Sequence, residues 1–376
     1  MTMGQPGRNA GKATRNRMTG RERWRRSFHF QPVDRPFNIE FGYWVETLVV
    51  WHKQGLPAEI TTNEAAHEYF GLDRTEGAPS PVGLIPDFEH KLLREDGDYC
   101  DYQTSEGQII RVHKEDHGSI PSFLRFPIQD RADWVEFKKR LDPASPERFP
   151  NPADLKARFD GHDYPLSISA GSLFGWIRNW MGFENACMLP HLDPVWFEEM
   201  VEHLCDLTCT VLERHLPHVE CDSVQMWEDM AYKQGPMMNP EHFERFMVPR
   251  YRRITDICHK HGIDIIYLDC DGNIDVLVPL WLKAGVNVMF PLEVACGSDP
   301  VKYRKLYGKD VLLLDGVNKR ELARDHAAID AELERLRPVV EEGGFVPHVD
   351  HRCPPDVSFE NYLYYLERKV KVFGMA

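Results

Sequence analysis

The chain lacks the features that would place it in a membrane or in an oxidising compartment. It has no run of about 18 apolar residues, and its N-terminus has no apolar segment of a secretory signal. Its nine cysteines include no Cys-x-x-Cys pair, which predicts reduced thiols rather than a disulfide framework. We therefore expect a cytoplasmic protein with no membrane partner.

Acidic residues outnumber basic residues once the first 26 residues are left out. The net charge is −14, although residues 1–26 contain eight basic residues and one acidic residue. An acidic body repels phosphates, which argues against a nucleic-acid partner. Residues 1–17 lack apolar periodicity, and we expect a flexible, dispensable basic arm before a natural start at Met18. The rest, 18–376, has a length typical of one α/β barrel with insertions.

Short apolar segments alternate with helical segments from residue 164 onward, which predicts parallel βα units. The predicted strands are 164–171, 223–230, 263–268, 285–292, 311–314 and 345–349. A further strand is predicted at 36–41 and an eighth within 80–135, a stretch that also predicts a hairpin insertion near 108–113. No Gly-x-Gly-x-x-Gly follows any strand, so a single (β/α)8 TIM barrel is favoured over an open doubly wound sheet.

Acidic residues follow six of the seven predicted strand ends that we compared, the edge at which α/β barrels place their active sites. A single acid there often only caps the next helix. Several converging carboxylates raise each other's pKa, which suits a cation, a cationic intermediate or proton transfer. We predict catalytic roles for Glu228, Asp269 and Asp271. Residues at the other strand ends are predicted to bind substrate: Glu40, Ser172, Glu293 and Asp315.

The last predicted loop is rich in metal-ligand types, with His348, Asp350, His351 and Cys353 within six residues. Such side chains bind zinc, and a loop can present two of them to one ion. We predict a catalytic role for His351. Alternatively, Asp350 only orients His351 and no metal binds. Tyr43 and Trp44 form an aromatic cluster that either contacts substrate or covers the barrel mouth.

Several motifs resemble those of the uroporphyrinogen decarboxylase and cobalamin-dependent methyltransferase superfamily. They are Met18-Thr-Gly-Arg-Glu-Arg23, Pro32-Val-Asp-Arg-Pro36, Gly171-Ser-Leu-Phe-Gly175, Asn239-Pro240, Pro249-Arg-Tyr251, Asp315-Gly-Val-Asn-Lys-Arg-Glu-Leu322 and Pro354-Pro-Asp-Val-Ser-Phe-Glu-Asn361. The resemblance spans about 18–372 and implies a TIM-barrel enzyme. It is specific for the superfamily and chooses poorly among the activities within it.

Two branches of this superfamily differ in their sites. True uroporphyrinogen decarboxylases carry an arginine-rich segment after the first strand that binds substrate propionates. The matching stretch here, Glu40-Phe-Gly-Tyr-Trp-Val-Glu46, has no arginine, so uroporphyrinogen is not expected as a substrate.

The methyltransferase branch binds zinc through a His-x-Cys pair after the fifth strand and a cysteine in the last loop. The matching positions here are Asp269, Asp271 and Cys353. The resemblance, with the composition of the last loop, predicts zinc or another divalent metal on Asp269, Asp271, His348 and Cys353. Carboxylates are harder ligands than thiolates. A metal held by these residues would therefore favour the thiolate form of a thiol acceptor less strongly.

The resemblance therefore implies methyl transfer in a corrinoid-dependent demethylation system, with a small-molecule substrate, a corrinoid protein as partner and a homodimeric state. Two alternatives stay open. One is a metal-independent decarboxylase or lyase that acts on a small or tetrapyrrole-like substrate. The other is a catalytically silent barrel that binds a ligand.

Overall fold

The computed structural model describes residues 18–115 and 121–374, so the predicted basic arm at 1–17 lies outside the described residues. The α-helices are α1 (Gly20–Phe28), α2 (Val45–His52), α3 (Asn63–Tyr69), α4 (Arg131–Phe137), α5 (Pro152–Phe159), α6 (Phe174–Met181), α7 (Phe183–Leu192), α8 (Pro194–His215), α9 (Pro240–His242), α10 (Val248–Lys260), α11 (Val278–Lys283), α12 (Pro300–Tyr307), α13 (Lys319–Leu322), α14 (His326–Glu342) and α15 (Phe359–Val372). A π-helical turn, Phe243–Met247, joins α9 to α10.

The strands are β1 (Glu76–Ala78), β2 (Lys91–Asp96), β3 (Tyr99–Gln103), β4 (Ile109–His113), β5 (Ser122–Arg125), β6 (Leu166–Ser169), β7 (Ser223–Trp227), β8 (Ala231–Tyr232), β9 (Gly235–Pro236), β10 (Ile266–Asp269), β11 (Val288–Phe290), β12 (Leu312–Leu314) and β13 (Phe345–Val346). Seven of them form one curled parallel sheet in the order β1-β6-β7-β10-β11-β12-β13. All six strands predicted after residue 164 are present, which confirms the βα alternation.

Two of the eight predicted strands are wrong. The segment 36–41 is extended but forms no strand, because the carboxylate of Asp73 binds the backbone N–H of Asn38 at 2.8 Å where a neighbouring strand would. The strand beside β6 is β1, which lies just before the range 80–135. The chain after 41 reaches the last loop through a bridge between Tyr43 and Cys353. The parallel sheet thus runs from β1 to β13.

The predicted insertion is confirmed as a separate four-stranded antiparallel sheet, β2-β3-β4-β5. Its strands pair only with one another, so none of them belongs to the parallel sheet. The stretch 108–113, predicted as part of a hairpin, is β4 with the preceding residue.

Successive side chains of the parallel strands point to opposite faces of the sheet, so the protein has one hydrophobic core on each face. Outward residues pack under the helices, and inward residues form a smaller core with the N-terminal helix α1, whose Trp24 and Phe28 are buried. Inward residues of this smaller core are Ile265, Val288, Phe290, Leu312, Leu314 and Val346. Helix α1 therefore fills the end of the sheet opposite the carboxyl ends of the strands.

Helix boundaries follow local capping chemistry. Helices α7 and α8 are separate because the carboxylate of Asp193 caps the backbone N–H of Trp196 in the first turn of α8. Helices α13 and α14 are divided in the same way at Asp325, which caps α14. All nine cysteines are free, as predicted. Among the described residues, no helix combines the length and apolarity needed to cross a membrane.

Candidate active site

An open cleft of about 620 Å³ lies at the carboxyl ends of the parallel strands. Its position agrees with the rule that α/β barrels bind substrate at this end. Trp227 ends β7 and Asp269 ends β10, and the last loop closes one side. The lining residues are Phe41, Trp44, Val45, Glu46, Trp227, Asp229, Asp269, Asp271, His351 and Arg352. Of the residues predicted from the sequence, the cleft brings together Trp44, Asp269, Asp271 and His351.

Two cleft carboxyls have pKa values near neutrality. Burial and the charge of Asp229 raise the pKa of Asp269 to about 7. Burial at the wall, with the charges of Asp229 and Glu293, raises the pKa of Asp271 to about 8. Asp271 still exposes 40% of its side chain, so a ligand in the cleft can reach it. Both groups therefore hold a transferable proton near pH 7.

His351 lies beside Asp271, with Nε2 3.6 Å from Oδ1. Burial and the nearby cation of Lys319 lower its pKa to about 4. The imidazole is therefore neutral at pH 7 and adds no positive charge that would draw the proton off Asp271. The rings of Phe41 and Trp44 flank it at centroid distances of 5.4 and 5.6 Å.

A half-buried ion pair supports the cleft from the side of Asp271. Lys319 Nζ lies 3.1 Å from Glu293 Oε1, and the backbone N–H of Gly272 donates to Glu293 Oε2 at 2.9 Å. Burial would raise the pKa of Glu293, but Lys319 lowers it below its ordinary value. Glu293 stays ionised and repels a second negative charge on Asp271. Glu293 is not among the residues that line the cleft, and its predicted contact with substrate stays a prediction.

Glu228 lies behind the wall of the cleft. Its carboxylate accepts hydrogen bonds from the backbone N–H groups of Leu173, Phe174 and Gly175 at 2.7–2.8 Å, at the start of α6. The hydroxyls of Ser172 and Tyr251 also donate to it, at 3.0 and 2.7 Å. Burial raises the pKa of Glu228. Glu228 and Ser172 therefore bond to each other and anchor α6, and the residues that line the cleft do not include them.

Glu40 and Tyr43 connect the chain before α2 to the last helix, α15. Glu40 pairs with Lys369 at 2.8 Å, and both side chains are almost fully buried. The hydroxyl of Tyr365 and the backbone N–H of Val349 also donate to Glu40, at 2.9 and 3.0 Å. The hydroxyl of Tyr43 lies 2.6 Å from that of Tyr362 on α15.

Asp315 positions the last loop. Its Oδ2 accepts the backbone N–H of His351 at 2.6 Å and lies 3.8 Å from His348 Nδ1. Burial and the charge of Asp350 raise its pKa well above the ordinary value. His348 lines a second cavity inside the sheet rather than the cleft. Cys353 is buried, and burial raises the pKa of its thiol well above the ordinary value.

The predicted zinc ligands do not form one donor set. Asp269 and Asp271 line the cleft, His348 lines the inner cavity and Cys353 lines neither. Within residues 18–115 and 121–374, no three His, Cys, Asp or Glu side chains are arranged to hold a metal ion. A catalytic zinc site needs three protein ligands around one ion, and the four predicted side chains are divided between two cavities and the core, so this arrangement does not fit zinc.

Backbone strain is concentrated around the cleft. Among the described residues, four that are not glycine have positive φ: Phe30, Asp229, Asp315 and His351. Three of these follow strands of the parallel sheet, and each such conformation costs about 1–3 kcal/mol that the surrounding contacts must offset. Strain of this kind is typical of sites whose side-chain positions matter.

Sequence reasoning missed Asp229, Trp227 and Arg352 as cleft residues. The period of two along β7 carried the signal for Asp229. Ser223, Gln225 and Trp227 face inward, so Asp229 continues that face and Glu228 points to the helices. Arg352 carried no such signal, since its guanidinium reaches the cleft by stacking 5.3 Å from the ring of Phe41 and 5.6 Å from that of Trp44.

Comparison with known proteins identifies the family and the fold. The family model for uroporphyrinogen decarboxylase (URO-D) matches residues 115–369, more than half of the chain. The fold is similar to that of a solved methyltransferase from Methanosarcina mazei, with a TM-score of 0.59 and 13% identity, over 94% of this chain and 99% of that chain. No curated protein matches the chain. The chain belongs to the uroporphyrinogen decarboxylase (URO-D) family.

Proposed function

We propose that the protein is a methyltransferase that removes a methyl group from a heteroatom of a small substrate, within a corrinoid-dependent demethylation system. The observation that carries this proposal is the pair of cleft carboxyls, Asp269 and Asp271, whose pKa values of about 7 and 8 keep a proton available near neutrality. Demethylation needs such an acid, because the leaving oxygen or nitrogen is a poor leaving group until it is protonated. The similarity of the fold to a methyltransferase supports the same choice.

The bond between the methyl carbon and the heteroatom breaks, its electron pair stays on the heteroatom, and the methyl group passes to a nucleophilic acceptor. Asp271 donates its proton to the heteroatom and becomes a carboxylate, which solvent reprotonates. Neutral His351 and ionised Glu293 keep Asp271 protonated before the step. Asp269 is the second acid of the cleft.

A corrinoid on a partner protein would supply the methyl acceptor. The cleft is open to solvent, and its rim carries apolar side chains, Trp44 and Val45, that expose 39% and 59% of their surface. Exposed apolar surface at a cleft mouth suits a protein partner. Because the residues present do not fit zinc, the proposed proton transfer depends on the carboxyls of Asp269 and Asp271 and on no metal ion.

Decarboxylation is a second candidate, favoured by Arg352. Its guanidinium lies in the wall of the cleft and could bind a substrate carboxylate, while Asp269 or Asp271 protonates the carbon that loses carbon dioxide. One arginine matches a small acid and not a tetrapyrrole with eight carboxylates. Uroporphyrinogen itself is therefore not expected to react.

The two candidates are separated by incubating the purified protein with a panel of methoxylated aromatic acids, methylamines and small carboxylic acids in the presence of cob(I)alamin. Methyl transfer produces the absorption spectrum of methylcobalamin together with the demethylated product. Release of carbon dioxide without methylcobalamin would establish the decarboxylase instead. Turnover of uroporphyrinogen to coproporphyrinogen would contradict both proposals.

A further inference from the structure

A second cavity of about 380 Å³ lies inside the curled sheet, and we call it the inner chamber. It is lined by residues of the strands β1, β6, β7, β10, β11 and β12, by residues 39–41, by helix α1 and by His348. The lining residues that its chemistry depends on are Gly77, Ser167, Ser223, Gln225, Tyr267 and His348. Thr75 and Gly77 are exposed, so the inner chamber opens to solvent beside β1.

The inner chamber lies one layer below the cleft along the same strands. On β7, Gln225 lines the inner chamber and Trp227 lines the cleft. On β10, Tyr267 and Asp269 repeat this order. Two residues of a strand span roughly 6–7 Å, which sets the depth of the inner chamber below the cleft. Phe41 belongs to the walls of both cavities and separates them.

Small side chains leave this space open. The interior of a (β/α)8 barrel is usually filled by bulky branched side chains. Here the inward positions of three neighbouring strands carry Gly77, Ser167 and Ser223. An apolar cavity of about 150 Å³ is large enough to hold benzene, so the inner chamber can hold a single aromatic ring with substituents.

The walls of the inner chamber are polar, and the carboxylates among them are paired: Glu76, at the opening beside β1, lies 3.4 Å from Arg74. The negative charge of Glu40 is paired with Lys369. Burial lowers the pKa of His348 to about 4 and raises that of Tyr267 to about 12, so both are neutral at pH 7. A charged ligand would lose its hydration there without a counter-charge, which disfavours ions.

Two polar groups in the walls are complementary. His348 Nδ1 lies 3.1 Å from the carbonyl of Val349, and donation to this carbonyl leaves Nε2 as an acceptor in the neutral ring. Gln225 accepts from Tyr267 through Oε1 at 3.4 Å. Among the described residues, its amide nitrogen donates to no protein acceptor. The inner chamber therefore offers both an acceptor and a donor, beside the flat rings of Tyr267 and Phe290.

We infer that the inner chamber is a binding site, separate from the cleft, for a small neutral molecule that has a flat ring bearing a hydroxyl or carboxamide group. The aromatic walls match the ring, and a hydroxyl can donate to His348 while it accepts from Gln225. This site goes beyond the proposed methyl transfer and does not depend on it. Because Phe41 also contacts the cleft, an occupant would rest against a ring that flanks His351.

Phenol is a suitable probe, followed with 4-fluorophenol by fluorine NMR on the full chain. We expect saturable binding to the wild type. Gln225→Leu removes the donor and should weaken the affinity about tenfold, the usual effect of one buried hydrogen bond. Ser223→Leu fills the inner chamber and should abolish binding. Met226→Leu, a volume-conserving change on the opposite face of β7, is the matched control and should bind as the wild type does. Phosphate and tetramethylammonium should not compete.

Several results would overturn the inference. These are the absence of saturable binding to folded wild type, equal affinity for wild type and Gln225→Leu, or a high-resolution structure in phenol that shows only water in the inner chamber. Asp271→Asn tests the location, because weaker phenol binding in this variant would place the probe in the cleft. If Ser223→Leu does not fold, Gln225→Leu and the NMR titration still decide the outcome.

Discussion

Two groups of carboxylates lie near the same edge of the sheet and have opposite surroundings. Glu228 accepts five hydrogen bonds from the start of α6, Ser172 and Tyr251. Asp269 and Asp271 face other carboxylates, and burial, followed by the charge of Asp229, raises both pKa values. A carboxylate thus serves the scaffold where donors surround it, and in our proposal it serves chemistry where such donors do not surround it. Position after a strand does not distinguish the two groups, but the supply of N–H and O–H donors does.

The sharpest test of this difference is the cost of deleting each carboxylate. Glu228→Ala would leave several buried donors without an acceptor, and each costs about 1–3 kcal/mol, so we expect a loss above ~4 kcal/mol in the free energy of unfolding. Asp271→Ala removes a repelled group and should change it by less than about 1 kcal/mol. Urea denaturation of both variants measures this. Equal losses would contradict the division, and Glu228→Gln replaces Glu228→Ala if the latter does not fold.

Catalysis should show the reverse order. Asp271→Asn keeps the shape of the side chain but removes the acid, and we expect the rate of methyl transfer to cob(I)alamin to fall about 100-fold or more. The matched control is Glu46→Gln, the same type of change at an exposed position of the cleft wall, which should leave the rate nearly unchanged. A wild-type rate in Asp271→Asn would remove this residue from the mechanism.

The pH dependence of the rate provides a third test. The acid forms of Asp269 and Asp271 are lost as the pH rises through about 7 and about 8. The rate should therefore fall about tenfold per pH unit above pH ~8. Asp271→Asn should lack the upper inflection. A wild-type rate that stays level up to pH 10 would show that the reactive form is not a carboxylic acid.

Stability should depend on the same protons. The pKa values of about 7 and 8 exceed the ordinary aspartate value of 3.8, so the folded chain holds protons that the unfolded chain has released. The contribution of these two groups to the free energy of unfolding is favourable at pH 4 and is lost as the pH rises to about 8. The melting temperature should decline less over this window in Asp269→Asn than in the wild type. If the melting temperature falls equally with pH in the wild type and in Asp269→Asn, this expectation is wrong.

Zinc should have the smallest effect. Since the predicted ligands are divided between two cavities and the core, we expect less than one zinc per chain after purification without chelator, and no rise in melting temperature on adding zinc. Elemental analysis of the wild type and of Asp271→Ala measures this. One zinc per chain that is lost in Asp271→Ala would show that the cleft carboxylates bind metal, in agreement with the expectation from the sequence.

The sequence predicted the parallel βα order well because each strand after residue 164 is an apolar run bounded by turns. It failed at 36–41, where an apolar run looks like a strand but Asp73 takes the hydrogen bond that a partner strand would need. Side-chain roles were harder to predict, since a carboxylate and its donors lie far apart in the chain. Tyr251 lies 23 residues from the Glu228 that it contacts, and Lys369 lies 329 residues from Glu40. Pairings of this kind have no local pattern.

The core around helix α1 can form only after the last strands of the sheet have been synthesised. It is the first helix of the described chain to leave the ribosome, yet Trp24 and Phe28 pack with strands as late as β13. The backbone N–H of Gly344, just before β13, donates to the carbonyl of Ser27 at 2.8 Å. Contacts between such distant parts of a chain form slowly. The apolar face of α1 therefore lacks its packing partner β13 during almost the whole of translation. A chaperone could cover this face during that period.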